Sequence, residues 1–361
     1  MKKVVIIQQV FNSRKWMDLV YPAMMNQTYQ DIEIIAQIVS DNGGCKEYIQ
    51  AHFPQVKILE PGYNIGFAKG HNEIFASTEA DYYQLVNPDL ILEPTYVEEM
   101  VRVMEANPQI GAATGKLLQY RFDTKQKTSN IDTTGIVMSW NGRARDRGQH
   151  EVDHGQYDGQ TEVAGVSGAG PMYRKSALEE VKMPRLVYSE QLAENSKGAP
   201  PVTTGSRNSP PTDFEYFDED FHSYWEDTDL SLALQNRGFA CAFVPSAVAY
   251  HGRTAGSSKE GYKDVVAFVK NHKTFSGWVK QLNYKNHLFV VLKNFPRLHW
   301  KFFVREFFML GYIVLLETAT LKVVPTLLRQ LPLMWKKRKW IQQHRKNVEW
   351  VKLLNNKGLL S

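Results

Sequence analysis

The feature that most constrains the fold is an alternation of short apolar runs and amphipathic segments along the first part of the chain. The apolar runs are typical of buried strands, and the segments between them, such as Arg14–Asn26, have helical spacing. The four apolar runs are Val4–Val10, Ile32–Val39, Val56–Leu59 and Tyr82–Val86. Strands that alternate with helices form right-handed βαβ units, which build parallel sheets. We therefore expect an α/β protein with a mostly parallel central sheet.

Polar residues follow two of the predicted strands directly. Asp41 follows the second strand, and Asn87-Pro88-Asp89 follows the fourth. Ligands of such sheets bind at the carboxyl ends of the strands. Asp41 suits hydrogen bonding to a ribose or a base, and Asp89 is a hard oxygen ligand for Mg²⁺ or Mn²⁺. Both segments are also good turn sequences, so a turn role stays open for each.

Three further segments suit the close approach of a substrate. The glycine-rich segment 64–72 is neither a dinucleotide fingerprint nor a P-loop, but its small residues allow a nucleotide near the backbone. The small-residue run 163–170 either lines a substrate or forms a tight strand crossing. The basic loop 135–148, which contains Arg145, either meets a diphosphate or is solvated.

The segment Tyr216–His251 combines carboxylates, aromatic residues and a strand-end histidine. A helical pattern begins near Glu226 and stops at Gly238, and two short strands separated by a turn at Pro245 follow. Acidic residues at a helix N-terminus are favoured by the helix dipole alone. That effect does not account for the aromatic residues beside them or for His251. Asp227 is therefore a candidate general base and His251 a candidate metal ligand, with a structural histidine as the alternative.

Together these segments resemble the family 2 glycosyltransferases, which have the GT-A nucleotide-sugar-binding fold. The resemblance covers residues 1–255 and rests on Asp41, segment 64–72 (NIGFAKGHN), Asn87-Pro88-Asp89 in the place of the family's DxD motif, and Tyr224–Leu230 with His251. Within the family the chain looks most like bacterial rhamnosyltransferases, through residues 132–135 (DTTG), 142–148 (GRARDRG), 155–158 (GQYD) and 166–174 (VSGAGPMYR). It departs from the family at Gln8–Asn12, where Tyr-Asn is usual, and in its reduced DxD motif.

The resemblance implies a role for each matching residue. Asp227 is the implied catalytic base, with Glu226 beside it, and Asp89 and His251 are the implied ligands of Mn²⁺ or Mg²⁺. The implied donor-binding residues are Asp41, Asn64, Gly66, Phe67, Asn72, Asn87, Asp89 and Arg145. The implied acceptor-binding residues are Gly168, Ala169, Trp225 and Asp229.

The reaction implied by the resemblance is an inverting, metal-dependent sugar transfer. The donor is dTDP-L-rhamnose, and the acceptor is a lipid-linked (polyprenol-diphosphate) glycan or a polysaccharide of the cell surface. The same chemistry with UDP-galactofuranose, UDP-GlcNAc or UDP-glucose is the first alternative. A non-catalytic scaffold with a glycosyltransferase-like fold at the membrane is the second.

The charge of the chain is divided unevenly along its length. Residues 259–361 contain 20 Lys and Arg against 5 Asp and Glu, formally +15, whereas residues 1–258 contain 23 against 33, formally −10. We predict a GT-A domain over 1–258, with a flexible insertion at 185–213, and a basic amphipathic helical region over 259–361. The longest uncharged apolar run there, Phe307–Leu316, is too short to span a bilayer.

Apolar and aromatic helices rimmed by Lys and Arg favour an anionic membrane surface. We therefore expect a peripheral protein at the cytoplasmic face of the cell membrane. A homodimer through the C-terminal helices is the alternative. Binding of nucleic acid is not expected, because the region carries no recognised nucleic-acid motif.

Overall fold

The apolar runs form a ten-stranded central sheet in the computed structural model, which describes residues 1–186, 213–253 and 275–354. The strands of the described residues, in the central sheet and in two small hairpin sheets, are β1 (Val4–Phe11), β2 (Ile32–Ser40), β3 (Lys57–Leu59), β4 (Tyr82–Leu85), β5 (Leu90–Leu92), β6 (Ile110–Arg121), β7 (Gln126–Thr133), β8 (Ile136–Met138), β9 (Ala144–Asp146), β10 (Glu162–Val163), β11 (Pro171–Arg174), β12 (Met183–Pro184), β13 (Phe214–Glu215) and β14 (Ala240–His251). The helices are α1 (Arg14–Met25), α2 (Cys45–His52), α3 (Phe67–Ser77), α4 (Tyr96–Ala106), α5 (Lys175–Val181), α6 (Glu226–Asn236), α7 (Gly277–Asn294), α8 (Trp300–Leu316) and α9 (Val324–Gln343).

The strand order along the central sheet is β10-β14-β6-β11-β4-β1-β2-β3, with β5 on β14 and β7 on β6. Strands β3, β2, β1 and β4 are parallel neighbours, as are β6 and β14, whereas β11 runs antiparallel between the two groups. The predicted βαβ alternation therefore builds the parallel half of the sheet, whose last strand, β4, ends two residues before Asn87. Residues that alternate along β1 enter different cores: Val4 and Ile6 face one, and Val5 and Ile7 the other. Both faces of the sheet are covered, which is why its strands are continuously apolar.

Two predicted strand boundaries are wrong for identifiable reasons. The two strands predicted on either side of Pro245 form one strand, β14, whose pairing with β6 is irregular between Val244 and Val248. Proline removes one ladder hydrogen bond there without turning the chain. The sequence of residues 131–138 likewise predicts a single strand, but Gly135 divides it into β7 and β8. Gly135 has a φ of 111° and lies against Val163. A side chain at Gly135 would be strained by both features.

The C-terminal helices pack onto the segment that follows β13. Phe221 and Leu232 of that segment share a hydrophobic core with Phe289 of α7, Met334 of α9 and Trp350. The predicted division at 258 falls among residues 254–274, and most of the predicted insertion 185–213 falls among residues 187–212; both stretches lie outside the described residues. No single described helix has the length and hydropathy to cross a bilayer. The segments Trp300–Leu316 and Thr318–Gln343 meet that criterion only as a pair, bent by 113°.

Candidate active site

The pairing of β5 with the end of β14 brings the candidate ligands Asp89 and His251 together. Asp89 Oδ1 lies 3.2 Å from His251 Nε2, and Asp132 Oδ2 lies 2.8 Å from His251 Nδ1. The imidazole is only 5% exposed. Burial would lower the pKa of His251, but its hydrogen bonds to Asp132 and Asp89 outweigh that effect and raise the pKa to about 9. Two carboxylates thus fix the ring in one orientation.

An arginine continues this cluster toward β9. The Arg253 guanidinium lies 2.8 Å from Asp146 Oδ2 and 3.4 Å from Asp132 Oδ1. Arg145, a predicted donor contact, is exposed beside Asp146 on the same strand. Sequence reasoning missed Asp132, Asp146 and Arg253 as site residues. The available signal was that Asp132 and Asp146 lie in the segments DTTG and GRARDRG, which carried the resemblance although neither aspartate was given a role.

Asp227 lies in the first turn of α6, where two backbone amides hold its carboxylate. The N–H of Gly168 donates to Oδ2 at 2.7 Å, and the N–H of Thr228 donates to Oδ1 at 2.6 Å. Burial raises the pKa of Asp227, and these two hydrogen bonds offset only part of that increase. The carboxylate is therefore a stronger base than an ordinary aspartate, in a fixed orientation.

Glu226 precedes Asp227 and is buried more completely. Burial, followed by the charge of Asp227, raises the pKa of Glu226 well above that of an ordinary glutamate. Its Oε2 atom has no hydrogen-bond partner within the part of the chain that the structure describes. Its burial and the charge of Asp227 both disfavour the ionised form of Glu226.

The small-residue segment 163–170 joins the predicted donor and acceptor sides. The carbonyl of Ala169 accepts a hydrogen bond from the N–H of Asn87 at 2.9 Å, while Gly168 contacts Asp227. A Cβ atom at Gly168 would lie 3.2 Å from Asp227 Oδ2, so a side chain there would crowd the carboxylate. The structure thus brings together segments that are far apart in sequence and that the motifs predicted to form one site.

Three predicted donor-binding residues form local turns and caps. The Asp41 carboxylate accepts from the N–H groups of Cys45 at 2.8 Å and Lys46 at 2.9 Å, at the N-terminus of α2. Asn64 Oδ1 accepts from the N–H of Gly66 at 3.0 Å. For Asp41 this is the turn role that the sequence left open. Their contacts with a donor stay predictions.

The two other predicted donor residues on α3 hold neighbouring backbone. The N–H of Phe67 donates to the carbonyl of His222 at 2.9 Å. The Asn72 side chain donates to the carbonyl of Phe217 and accepts from its N–H, both at 2.8 Å. Helix α3 is thereby attached to the acidic segment that leads into α6.

Buried lysines from the C-terminal helices neutralise the acidic segment. Lys293 of α7 contacts Asp218 and lies 2.7 Å from Asp229 Oδ2. Lys337 of α9 lies 2.6 Å from Asp218 Oδ1, and it also contacts Glu215 and Asp220. Both lysine side chains are 1% exposed. Asp229, predicted to contact an acceptor, is therefore placed in a buried ion pair. The predicted acceptor residue Trp225 donates from Nε1 to Asn283 at 3.2 Å.

The pKa shifts in this lysine–carboxylate cluster follow from its charges. Burial would raise the pKa of Asp218, but Lys293 and Lys337 outweigh it and hold the pKa well below its usual range. Burial would lower the pKa of Lys337, but the carboxylates raise it well above that of an ordinary lysine. The uneven charge along the sequence was the signal for this cluster, because a surplus of opposite signs in two regions favours their contact.

Asp89 and His251 offer one hard oxygen and one imidazole nitrogen to a cation. The described residues contain no group of three or more His, Cys, Asp or Glu side chains able to hold a metal ion. Two protein ligands fit a divalent ion that takes its remaining ligands from phosphate oxygens and water, as Mg²⁺ commonly does. Asp132 supports this fit, because metal-binding histidines usually donate their second N–H to a carboxylate.

Comparisons with known proteins bear on the fold in which these residues lie. Residues 5–182 match the model of glycosyl transferase family 2. An uncharacterized glycosyltransferase of Haemophilus influenzae is 27% identical over 116 residues, covering 30% of this chain and 35% of that protein. GalNAc-T7, crystallised with UDP, GalNAc and Mn²⁺, is 10% identical with a TM-score of 0.54, over 95% of this chain and 56% of that chain. S. aureus TarS 1–349 is 12% identical with a TM-score of 0.45, over 92% of this chain and 91% of that chain. The family match and the fold shared with GalNAc-T7 confirm the predicted α/β GT-A fold.

Proposed function

We propose, from the match of residues 5–182 to the glycosyl transferase family 2 model, that the protein transfers a sugar from a nucleotide donor to a hydroxyl group. The observation that carries the proposal is that the candidate base and the candidate metal ligands are connected through one segment of small residues. The fixed carboxylate of Asp227 contacts the segment of Gly168 and Ala169, which contacts Asn87, two residues before the Asp89–His251 pair. With Asp227 acting as a base and not as a nucleophile, the proposed reaction is a single displacement with inversion.

In this reaction the acceptor oxygen forms a bond to the anomeric carbon while the bond from that carbon to the diphosphate oxygen breaks. The acceptor proton passes to the carboxylate of Asp227. Gly168 and Thr228 hold that carboxylate through their N–H groups, so its orientation does not depend on the substrate. A positioned general base contributes about 10²–10⁴-fold to a rate.

The leaving diphosphate requires positive charge near Asp89. A divalent ion, Mn²⁺ or Mg²⁺, would be held by Asp89 and His251 and would neutralise the charge that develops on the diphosphate. Asp132 orients the imidazole by accepting a hydrogen bond from Nδ1–H of His251, which leaves Nε2 facing Asp89. Arg145 is exposed on β9, beside Asp146, and would offer a second positive charge to the phosphates.

The resemblance to rhamnosyltransferases favours dTDP-L-rhamnose as donor and a lipid-linked or polysaccharide glycan as acceptor. A UDP-sugar is the second candidate, because GalNAc-T7, which shares the fold, was crystallised with UDP, GalNAc and Mn²⁺. A non-catalytic scaffold is disfavoured by the presence of Asp89, Glu226, Asp227 and His251 together.

His251→Ala tests the proposed metal site. Removing the imidazole is expected to weaken the binding of UDP or dTDP in the presence of Mn²⁺ by at least about tenfold, since loss of even an outer-shell partner typically costs 10–100-fold. Calorimetric titration with Mn²⁺ and with EDTA measures this. His154→Ala, an exposed histidine, is the control. If the variant binds nucleotide with the same metal dependence as the wild type, His251 is not a ligand.

The pH dependence of kcat tests Asp227 as the base. A base acts when deprotonated, so kcat falls as the pH falls through the pKa of Asp227. Because burial raises that pKa, the acidic limb is expected above the ordinary aspartate value of about 3.9. A pH–rate profile under donor saturation measures it. An acidic limb at or below that ordinary value would contradict the raised pKa.

We propose further that α8 and α9 rest on an anionic membrane surface at the cytoplasmic face. Helix α8 exposes Phe307, Phe308 and Leu315, which are 75%, 69% and 79% exposed. The stretch 300–343 also exposes a set of basic side chains, and its two acidic residues are not exposed. The exposed cations are Lys322, Arg329, Lys336 and Lys339. An apolar surface rimmed by cations complements anionic headgroups and the acyl boundary beneath them.

Phe307→Ser combined with Phe308→Ser tests this surface without disturbing the buried lysines. Each phenylalanine side chain that moves from water into the membrane contributes roughly 1.5–3 kcal/mol to binding. Partitioning into vesicles that contain phosphatidylglycerol is therefore expected to fall more than about tenfold. Val152→Ser, at a residue that is 59% exposed, is the control. Cosedimentation of the full chain measures binding. Unchanged partitioning would exclude the membrane role, and a dimer that dissociates in the variant would favour the interface between two copies.

A further inference from the structure

The segment 221–225, which leads into the helix of Asp227, has an unfavourable backbone conformation. His222, Tyr224 and Trp225 have φ values of 62°, 69° and 71°. Non-glycine residues rarely adopt positive φ, and such residues persist only where the surrounding structure holds them. Three within four positions, directly before Glu226, therefore require identifiable restraints.

The main restraint is one buried amide on α7. Asn286 Nδ2 lies within hydrogen-bonding distance of the carbonyl oxygens of Phe221 at 3.0 Å, Ser223 at 3.0 Å and Tyr224 at 2.8 Å. Asn286 is fully buried. A side chain that satisfies the carbonyls of a strained turn stabilises that turn against relaxed alternatives, in which those carbonyls would lose their partner.

Neighbouring residues on the same face of α7 add to this restraint. Asn283 accepts from the indole N–H of Trp225 at 3.2 Å, and the His287 ring packs edge-on against that indole at 5.1 Å. Two turns beyond, Asn294 donates to Asp229 Oδ1 at 2.7 Å. Residues three and four apart share a helix face, so α7 contacts the segment and the first turn of α6 together.

The other side of the segment is attached to α3. The carbonyl of His222 accepts from the N–H groups of Phe67 at 2.9 Å and Ala68 at 3.2 Å, which begin that helix. A Cβ atom at Gly66 would lie 3.0 Å from the His222 ring. The strained segment thus links the glycine-rich segment 64–72 to the helix of Asp227.

We propose that Asn286 is a positioning residue, which holds segment 221–225 so that Asp227 and Trp225 keep the geometry that transfer requires. The inference rests on the proposed function only in taking Asp227 as the base. It makes α7 a part of the active site, whereas the sequence placed it in a separate C-terminal region. Loss of the amide lets the segment relax and moves the carboxylate, and a displacement of about 1 Å typically costs 10²-fold in rate.

Asn286→Ala, compared with Asn236→Ala, provides the test. Asn236 is also buried, and it bonds Trp350 at 3.0 Å and the Asn294 carbonyl at 3.2 Å, but at the opposite end of α6. Amide hydrogen exchange over 221–228 is expected to be at least about tenfold faster in Asn286→Ala than in the wild type and unchanged in Asn236→Ala, because it reports local opening. Equal exchange in both variants would overturn the proposal.

Kinetics provide a second readout, with the sugar nucleotide that the wild type turns over. In Asn286→Ala, kcat is expected to fall about 10²-fold while the Kd for UDP or dTDP with Mn²⁺ is unchanged. If nucleotide affinity falls together with kcat, the variant is generally misfolded, and a positioning role is contradicted. If Asn286→Ala does not fold, Asn286→Ser retains one donor and should show intermediate exchange; wild-type exchange in it would overturn the proposal. Exchange needs no donor, so it decides the inference even if the wild type transfers no sugar.

Discussion

Asp227→Asn is expected to lower kcat by about 10²–10⁴-fold while leaving the Kd for nucleotide unchanged. The amide has almost the shape of the carboxylate but cannot accept the acceptor proton. Its oxygen can still accept from Gly168 or from Thr228, so the first turn of α6 should keep its place. Single-turnover measurement of nucleoside diphosphate release, together with calorimetry of nucleotide binding, separates the chemical step from binding.

Asp18→Asn is the matched control, because it removes the same charge from an exposed site on α1. This control should retain wild-type kcat. Transfer by Asp227→Asn at the wild-type rate would exclude Asp227 as the base, and Glu226 would become the candidate base. An equal loss of nucleotide affinity and kcat would instead indicate that Asp227 supports the fold of the site.

Lys337→Met is expected to lower the free energy of unfolding by about 3–5 kcal/mol, the usual cost of removing one partner of a buried ion pair. Methionine fills a similar volume but leaves Glu215, Asp218 and Asp220 without this cation. Lys336→Met changes the adjacent, exposed lysine and is expected to stay within about 0.5 kcal/mol of the wild type. Urea unfolding followed by circular dichroism measures both.

Equal stability of the Lys337→Met and Lys336→Met variants would show that the buried cluster contributes nothing to stability. The predicted loss would show that the C-terminal helices and the acidic segment form one folding unit. Deletion of residues 300–361 is therefore a poor test of membrane binding, because it also removes Lys337. Substitution of exposed residues on α8 avoids that difficulty.

Much of the sheet could be predicted from the sequence, because alternating apolar runs and helices have few compact solutions. The details that failed depend on single residues. Gly135 ends β7 by adopting a positive φ, and Pro245 leaves β14 continuous although it interrupts one hydrogen bond. Neither outcome follows from residue type alone, because both glycine and proline occur in turns and in irregular strands.

The sequence predicted only part of the candidate site. The family resemblance implied that Asp89 and His251 would bind one ion, and the two side chains do lie together. Asp132 is 119 residues from His251, and only the pairing of β7 on β6 places it there. Asp229 was expected to face an acceptor, but its partner Lys293 comes from a helix whose docking no local pattern describes. Contacts between distant segments depend on packing, which motifs do not encode.

Calorimetric titration of the 361-residue protein with dTDP-rhamnose, UDP-GlcNAc, UDP-glucose and UDP-galactofuranose, in Mn²⁺ and in EDTA, tests the central claim most directly. We predict that sugar nucleotides with one of the two nucleobases, thymine or uracil, bind to the protein. Their affinity should fall when the metal is removed. Absence of binding by all four with Mn²⁺ present would contradict a nucleotide-sugar transferase of this kind and favour a scaffold that retains only the fold.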